Sequence, residues 1–303
     1  MSSVDSHAPA GSTALAELVR LARPKDWLKN VFVLMPLPFA LASGASLDVP
    51  ALAIGIAGMC LVSSAVYALN DVLDAERDRS SARNQRRPVA SGRISSPTAL
   101  VAGFVWLSAG LGLGQLSGHP GALVTLAAYA GLNLVYSLGL KHVPLLDAFI
   151  LSAFYILRVV LGCVLVDVAP SNWLLLCSSA LALLIALGKR RGELVRESGT
   201  AQRPALVGYN RVYLDQAMGI IAGVTVVSYA LYSLETPLLV EGREFASLPF
   251  VVFGVLEYLR LAQVRDEGES PVDLLLRSPG LFAAGTGWVI ASLWSVGLSN
   301  LLR

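Results

Sequence analysis

Three aspartates with helical spacing are the residues of this chain best suited to chemistry. Asp71, Asp74 and Asp78 are separated by three and four positions, a spacing that stacks side chains on one face of a helix. Carboxylates this close repel one another unless a cation lies between them. Mg²⁺ prefers such oxygen ligands and commonly links one or two carboxylates to substrate phosphates. The spacing therefore predicts that Asp71, Asp74 and Asp78 bind Mg²⁺ and serve catalysis by neutralising a diphosphate leaving group.

The elements that position these aspartates have the composition of membrane helices. The chain has 303 residues, of which 55% are hydrophobic and 15% charged, whereas an average soluble domain carries roughly 25% charge. A bilayer-spanning helix needs about 20 mostly apolar residues. The windows that meet this requirement are residues 27–47, 51–70, 98–117, 121–140, 144–167, 172–188, 214–234, 247–264 and 280–301. We therefore expect an all-α integral membrane protein with about nine transmembrane helices.

The basic residues indicate the orientation of these helices. With nine helices, all but four of the 23 Lys and Arg residues fall on one side of the membrane, and that side is cytoplasmic by the positive-inside rule. This places the N-terminus and the acidic motif on the cytoplasmic side and the C-terminus on the opposite side. Residues 1–20 are expected to form a flexible cytoplasmic tail, followed by a single transmembrane domain over residues 21–303. The net charge of +2 does not favour a nucleic-acid partner.

The acidic motif resembles that of a known family. The pattern Asn70-Asp71-x-x-Asp74-x-x-x-Asp78 resembles the first Asp-rich motif of the UbiA superfamily of intramembrane prenyltransferases, and the segment Arg87-Pro88-Val89-Ala90-Ser91-Gly92 resembles the one that follows it there. The resemblance implies that the motif binds Mg²⁺ and a diphosphate in a central cavity surrounded by nine helices. The count of nine came from hydropathy alone.

The chain departs from ordinary members of that superfamily after the sixth predicted helix. Ordinary members carry a second Asp-rich motif there, whereas residues 187–194 read Leu-Gly-Lys-Arg-Arg-Gly-Glu-Leu. Three cations and one acid favour the binding of an additional phosphate over a second metal ion, since Lys and Arg are the usual phosphate partners.

This variant pattern resembles one branch of the superfamily, the decaprenyl-phosphate phosphoribosyltransferases. The matching segments are Arg23-Pro24-Lys25-Asp26-Trp27-Leu28-Lys29-Asn30, Tyr136-Ser137-Leu138-Gly139-Leu140-Lys141, Arg158, and Gly188-Lys189-Arg190-Arg191-Gly192-Glu193-Leu194. The resemblance covers about residues 21–277. It implies that 5-phosphoribose passes from phosphoribosyl pyrophosphate to a polyprenyl phosphate at the bacterial cytoplasmic membrane, with release of pyrophosphate, as a step of cell-wall biosynthesis.

Several residues near the acidic motif are candidates for binding these substrates. Asn70 could orient the diphosphate or simply end a helix. Lys29 could bind phosphate or extend its ammonium to the membrane interface. Arg86 and Arg87 could bind the 5-phosphate or the pyrophosphate, although the positive-inside rule alone would also place arginines there.

Further candidates lie on the later helices. Lys141 is expected at the cytoplasmic mouth, and Tyr136, one turn deeper, either binds phosphate or packs. Arg158 lies about 16 Å along its helix from Asp147, so it either binds the lipid phosphate or forms a structural tie. The residues assigned to the acceptor phosphate and the ribose hydroxyls are Lys189, Arg190 and Glu193.

Two other functions remain open from the sequence. An aromatic prenyltransferase that uses a polyprenyl diphosphate donor would share the first motif, but the missing second motif argues against it. A small-solute transporter would fit the helix count, but it leaves the aspartates and the basic loop unexplained. The oligomeric state also stays open, with a homo-oligomer as one alternative.

Overall fold

The structure is a computed structural model that describes residues 13–44, 46–81, 84–196, 204–266, 274 and 277–297. Every regular element within these residues is helical. The α-helices are α1 (Ala14–Ala22), α2 (Leu37–Ala42), α3 (Val49–Leu73), α4 (Ala75–Ser80), α5 (Ser96–Leu116), α6 (Pro120–Leu138), α7 (Leu146–Leu165), α8 (Asn172–Arg196), α9 (Arg211–Glu235), α10 (Leu248–Val264) and α11 (Pro279–Ser295). The 3₁₀ helices are Pro24–Leu34, Asn84–Arg86, Leu140–His142 and Pro204–Gly208.

The helices confirm an all-α membrane protein but not the count of nine spans. In the described part of the chain, six helices are long and apolar enough to cross a membrane, namely α3 and α5 to α9. The helices α10 and α11 are shorter, with 17 residues each. They coincide with the last two predicted windows, although residues 298–301 of the ninth window lie outside the described residues.

The first predicted window, residues 27–47, is not one helix. It is divided into the 3₁₀ helix Pro24–Leu34 and the short helix α2. Pro36 and Pro38 explain the division, because proline lacks a backbone N–H and its ring clashes with the preceding helical turn. A hydropathy average does not detect the interruption of a helix by proline.

The N-terminal segment is also more ordered than the sequence predicts. Residues 14–20, expected within a flexible tail, belong to α1, whose N-cap Thr13 accepts a hydrogen bond from the backbone N–H of Ala16. Residues 1–12 of the expected tail lie outside the described residues.

Close packing of α3 against α5 holds the acidic motif at a fixed position. The two backbones approach at Gly58 and Gly110, where a Cβ atom on Gly58 would lie 2.9 Å from the carbonyl oxygen of Gly110. Any larger residue would push the helices apart, and small residues at crossings are characteristic of membrane helix pairs.

Apolar side chains form two buried clusters, and α7 contributes to both. One cluster joins α3, α6 and α7, and the other joins α7 through α10. Large apolar side chains such as Phe104, Ile220, Phe253 and Ile290 are exposed on the outer surface. A surface of this kind is stable in lipid and would be unfavourable in water.

The ends of the helices that carry the charged motifs meet on one side of the bundle. Lys141, between α6 and α7, contacts Asp74 at the end of α3. Arg190, near the end of α8, contacts Asp147 at the start of α7. The fold therefore gathers the charged motifs at one face, as the sequence predicts.

Candidate active site

The three aspartates do not lie on one uninterrupted helix. Asp71 belongs to the last turn of α3, Asp74 caps that helix with φ −97° and ψ 1°, and Asp78 lies on α4. Among the described residues, no group of three His, Cys, Asp or Glu side chains is arranged to hold a metal ion. The break divides the motif into a pair, Asp71 and Asp78, and a separate carboxylate, Asp74.

Asp71 and Asp78 form the pair because they share an arginine. Arg87 Nη1 lies 2.5 Å from Asp78 Oδ2 and 4.0 Å from Asp71 Oδ1. Asp71 also forms an ion pair with Arg23. Arg23 follows α1 in a left-handed conformation with φ 53°, which is unfavourable for a residue other than glycine. Local strain thus accompanies the placement of this guanidinium beside the pair.

Each carboxylate of the pair retains an oxygen that no hydrogen bond satisfies. Asp71 Oδ2 and Asp78 Oδ1 are buried and accept no hydrogen bond in the described structure. Leaving a buried oxygen unsatisfied is costly. Two available carboxylate oxygens match what Mg²⁺ takes from a protein when substrate phosphates complete its coordination. The two available oxygens therefore fit the expected ion.

Asp74 interacts with a different set of residues. Lys141 Nζ donates a hydrogen bond of 2.6 Å to Asp74 Oδ1, and Arg77 lies 3.1 Å from Asp74 Oδ2. Lys141 is buried although it is a lysine. The side chain of Asn70, one turn before Asp74, accepts a hydrogen bond from Ser137 Oγ. These contacts hold α3 to the end of α6. We give the name α3 site to the group Asp71, Asp74, Asp78, Arg23, Arg87 and Lys141.

A basic pocket adjoins the α3 site. It has a volume of about 350 Å³ and is lined by Arg20, Arg23, Asn84, Arg86, Arg87, Pro88 and Arg93. We call it the arginine pocket. Burial lowers the pKa of Arg87, and the nearby cation Arg23 lowers it further, against the opposing effect of Asp78 and Asp71. A bound anion would relieve this crowding of positive charge.

Near the end of α8, unlike at the α3 site, the central arginine is buried. Arg190 is completely buried, lies 2.7 Å from Asp147 and forms an ion pair with Glu193. Its Nη2 also donates a hydrogen bond of 3.1 Å to the hydroxyl of Tyr136. The hydroxyl of Tyr209 donates to Asp147 at 2.7 Å and accepts from the backbone N–H of Leu145 at 2.6 Å. We call Tyr136, Asp147, Arg190, Glu193 and Tyr209 the α8 tie, since they join α6, α7 and α8.

Two lysines lie at the mouth between these regions. Lys29 donates a hydrogen bond of 2.6 Å to Asp26, and Lys189 lies 3.9 Å from Glu193. Burial raises the pKa of Asp26, but Lys29, Arg23 and Lys189 outweigh that effect, so the pKa stays below its usual range. Both lysine side chains are partly exposed, which leaves them accessible to a ligand that approaches this face of the bundle.

Arg158 lies deeper and is held by three hydrogen bonds. It donates to Asn30 Oδ1 at 2.9 Å, to the hydroxyl of Tyr129 at 2.9 Å and to the carbonyl oxygen of Phe154 at 2.7 Å. The first of these bonds ties α7 to the 3₁₀ helix that carries Lys29. In the described structure Arg158 has no carboxylate partner within ion-pair distance. Of its two predicted roles, the contacts favour the structural one.

Sequence reasoning missed several residues of these networks. Arg23 is recognisable in the sequence only as part of a motif, yet it contacts Asp71 directly. Tyr209 belongs to no recognisable motif, and Arg20 and Arg93 are recognisable in the sequence only as basic residues. No local pattern marks them, because each depends on a partner distant in the chain. The left-handed conformation at Arg23 also has no signal in its residue type.

Comparison with known proteins agrees with this architecture. The model of the UbiA prenyltransferase family matches residues 30–270. The chain therefore belongs to the UbiA prenyltransferase family and is an integral membrane protein.

Two relatives are similar to this chain along most of its length. Decaprenyl-phosphate phosphoribosyltransferase of Mycobacterium tuberculosis is 30% identical over 287 residues, covering 91% of this chain and 92% of that protein. The protein of the same name from Corynebacterium glutamicum is 28% identical, with 92% and 86% covered. Among solved structures, a UbiA homolog from Archaeoglobus fulgidus bound to GPP and Mg²⁺ superimposes with a TM-score of 0.70 at 17% identity, covering 92% of this chain and 99% of that chain.

Proposed function

We propose that this protein transfers 5-phosphoribose from phosphoribosyl pyrophosphate to a polyprenyl phosphate and releases pyrophosphate. The main structural support is the α3 site, where an available pair of carboxylate oxygens adjoins a pocket lined by arginines. Such an arrangement suits a metal-bound diphosphate that carries further negative charge. The two relatives named decaprenyl-phosphate phosphoribosyltransferase, similar along most of their length, support the same reaction.

The donor would bind with its diphosphate at the α3 site. Asp71 and Asp78 would hold Mg²⁺ through the two oxygens that lack hydrogen bonds. When bound, Mg²⁺ would neutralise the charge that develops on the departing pyrophosphate. Arg23 and Arg87, which now pair with these aspartates, would then be free to donate hydrogen bonds to phosphate oxygens. Charge-assisted bonds of this kind are stronger than neutral ones.

Asp74 and Lys141 would act at the edge of the donor site. Their ion pair keeps Lys141 buried near the end of α3, where its ammonium can stabilise negative charge on the diphosphate. Asn70 would serve in the same place through its amide. These roles, like that of Asp74 as a third metal ligand, stay predictions.

The acceptor phosphate would approach from the side of Lys29 and Lys189. A phosphate monoester is already an anion at neutral pH, so its oxygen can form the bond to C1 of the ribose without a side-chain base. As that bond forms, the bond between C1 and the pyrophosphate oxygen breaks. Catalysis would then come from positioning and from charge stabilisation. Arg190 and Glu193 would position Lys189 from within the α8 tie.

We further propose that the site opens to the cytoplasm. Phosphoribosyl pyrophosphate is water-soluble and would enter from the cytoplasm, while the lipid acceptor resides in the bilayer of the bacterial cytoplasmic membrane. The basic residues support an N-terminus and site mouth that face the cytoplasm and a C-terminus on the opposite side.

A transfer assay tests the proposal. Purified protein in detergent is incubated with Mg²⁺, polyprenyl phosphate and phosphoribosyl pyrophosphate labelled in the ribose. Label is expected in the organic phase, and its appearance should require the acceptor lipid and the metal. If label stays in the aqueous phase while a polyprenyl diphosphate is transferred to an aromatic acid, the proposal is wrong and the ordinary family reaction applies.

A further inference from the structure

The arginine pocket extends away from the carboxylate pair and has its own chemistry. Of the seven described residues that line it, five are arginines and none is acidic. Pro88 is the one apolar residue among these seven. A pocket of this composition stabilises an anion and offers almost no surface to a hydrocarbon chain. It is therefore unsuited to the tail of a prenyl diphosphate.

Hydrogen bonds within the protein hold two arginines of the pocket in place. Glu17 on α1 is buried and accepts hydrogen bonds from Arg20 at 2.5 Å and from Arg93 at 3.0 Å. Arg93 also donates a hydrogen bond of 2.5 Å to the carbonyl oxygen of Arg86. These contacts hold α1 against the segment before α5.

One arginine of the pocket, Arg86, is exposed to solvent. The guanidinium of Arg86 makes no hydrogen bond or ion pair in the described structure, whereas Arg20 and Arg93 are bound to Glu17. An exposed guanidinium on this wall, which pairs with no carboxylate among the described residues, is available for a phosphate group.

The arginine pocket lies directly beside the α3 site. Arg23 and Arg87 line the pocket and also contact Asp71 and Asp78. The two regions therefore share a wall formed by two guanidinium groups. A ligand held at the carboxylate pair by one phosphorylated end could place a second phosphorylated end in the pocket.

We infer that the arginine pocket binds the phosphomonoester at the far end of the donor and that Arg86 selects donors phosphorylated at both ends. The inference rests on the proposed function and decides between the two roles that the sequence leaves open for Arg86. A prenyl diphosphate has one phosphorylated end and would leave the pocket without a ligand. The pocket would thus distinguish a sugar donor from a lipid donor.

The test compares two ligands that share the diphosphate and differ in the phosphomonoester. Dissociation constants of phosphoribosyl pyrophosphate and inorganic pyrophosphate are measured by calorimetry with Mg²⁺, in neutral detergent, for the wild type, Arg86→Gln and Arg265→Gln. Arg265 is exposed and does not line the pocket, so its substitution controls for the loss of one positive charge.

Arg86→Gln is expected to weaken phosphoribosyl pyrophosphate about tenfold or more, the effect of one charge-assisted hydrogen bond. Pyrophosphate affinity should stay within about twofold, and Arg265→Gln should change neither. Arg86→Lys, which keeps the charge, should recover part of the affinity. Equal weakening of both ligands would assign the pocket to the diphosphate and overturn the inference, as would no weakening of either.

An anionic lipid headgroup carries a similar phosphate and could reach the pocket, because Leu15 and Val19 on α1 are exposed apolar residues. The measurements are therefore repeated in nanodiscs of phosphatidylcholine and of phosphatidylglycerol. The effect of Arg86→Gln should be the same in both. Its disappearance in phosphatidylglycerol would identify a headgroup site and overturn the inference. Failure of the transfer assay with normal donor binding would defeat the proposed function alone.

Discussion

The α3 site and the α8 tie are built from the same residue types but differ in how their charges are satisfied. At the α3 site, Arg23 and Arg87 are 24% and 25% exposed, and two buried carboxylate oxygens have no hydrogen bond. At the α8 tie, the Arg190 side chain is 0% exposed and interacts with Asp147, Glu193 and Tyr136, although its Nε and Asp147 Oδ2, 2.7 Å apart, form an ion pair without a hydrogen bond. A partly exposed cation can exchange a carboxylate for a ligand more readily than a buried arginine that pairs with two carboxylates. The first region is therefore suited to binding and the second to holding helices together.

The α8 tie lies where ordinary members of the superfamily carry the second Asp-rich motif, which this chain lacks. An Asp-rich segment at the end of α8 would provide a second metal site, as the superfamily resemblance implies for ordinary members. Here Arg190 occupies the centre of that position and already neutralises two carboxylates. In the described structure the contacts of Arg190 join helices, and its role at the acceptor phosphate stays a prediction.

The largest expected effect comes from removing the carboxylate pair. Asp71→Asn or Asp78→Asn should lower the transfer rate about a hundredfold to a thousandfold, the range found when one electrostatic group at a reacting centre is removed. Rates are measured with labelled donor at saturating acceptor. Asp48→Asn provides the control, because Asp48 is a helix N-cap and asparagine caps equally well. A variant of the pair with full activity would contradict the assignment.

Breaking the α8 tie should affect stability. Arg190→Gln leaves Asp147 buried without the cation that lies 2.7 Å from it, which should cost about 3–5 kcal/mol of unfolding free energy. Lys189→Gln, at the adjacent and partly exposed position, should cost less than about 1 kcal/mol. Denaturant unfolding in detergent measures both. Equal stability of the two variants would show that the tie does not hold the helices.

Ligand binding should stabilise the protein through the α3 site alone. Mg²⁺ with pyrophosphate at a hundred times the dissociation constant should add about 2.7 kcal/mol. Asp71→Asn should remove this gain, and Lys189→Gln should retain it. The gain is measured as the shift of the unfolding midpoint. Stabilisation of both variants to the same degree would place the ligand outside the α3 site.

The smallest effect concerns the edge of the α8 tie. Tyr209→Phe removes the hydrogen bond to Asp147 and the acceptor for the Leu145 backbone N–H, which should cost about 0.5–1.5 kcal/mol. Tyr213→Phe, at an exposed neighbouring tyrosine, serves as the control. Denaturant unfolding measures the free energy of unfolding of both variants. An equal loss of stability in the two would argue against a contribution from the Tyr209 hydroxyl.

Much of the fold could be predicted because long apolar segments leave few alternatives in a membrane. The helix predicted over residues 51–70 appears as α3, and the basic residues predict on which side its charged end lies. The division of the first window could not be inferred from hydropathy, although Pro36 and Pro38 were visible signals.

The candidate site was predicted less completely, because the sequence shows spacing but not partners. Asp71, Asp74 and Asp78 have helical spacing, yet the break at Asp74 sends one carboxylate toward Lys141, 67 positions away. Likewise, the sequence around Arg190 is typical of a phosphate ligand, but the structure places Asp147 and Tyr136 beside its guanidinium. Pairings of this kind depend on helix packing, which no local pattern records.

Metal-dependent diphosphate binding by Asp71 and Asp78 is the claim on which the proposed chemistry depends most. Titration of the wild type and of the double variant Asp71→Asn, Asp78→Asn with inorganic pyrophosphate, with Mg²⁺ and after its removal by chelation, tests this directly. We predict that Mg²⁺ strengthens pyrophosphate binding by the wild type and does not strengthen it in the double variant. Equal affinity with and without Mg²⁺, or unchanged metal-dependent binding in the double variant, would contradict the claim.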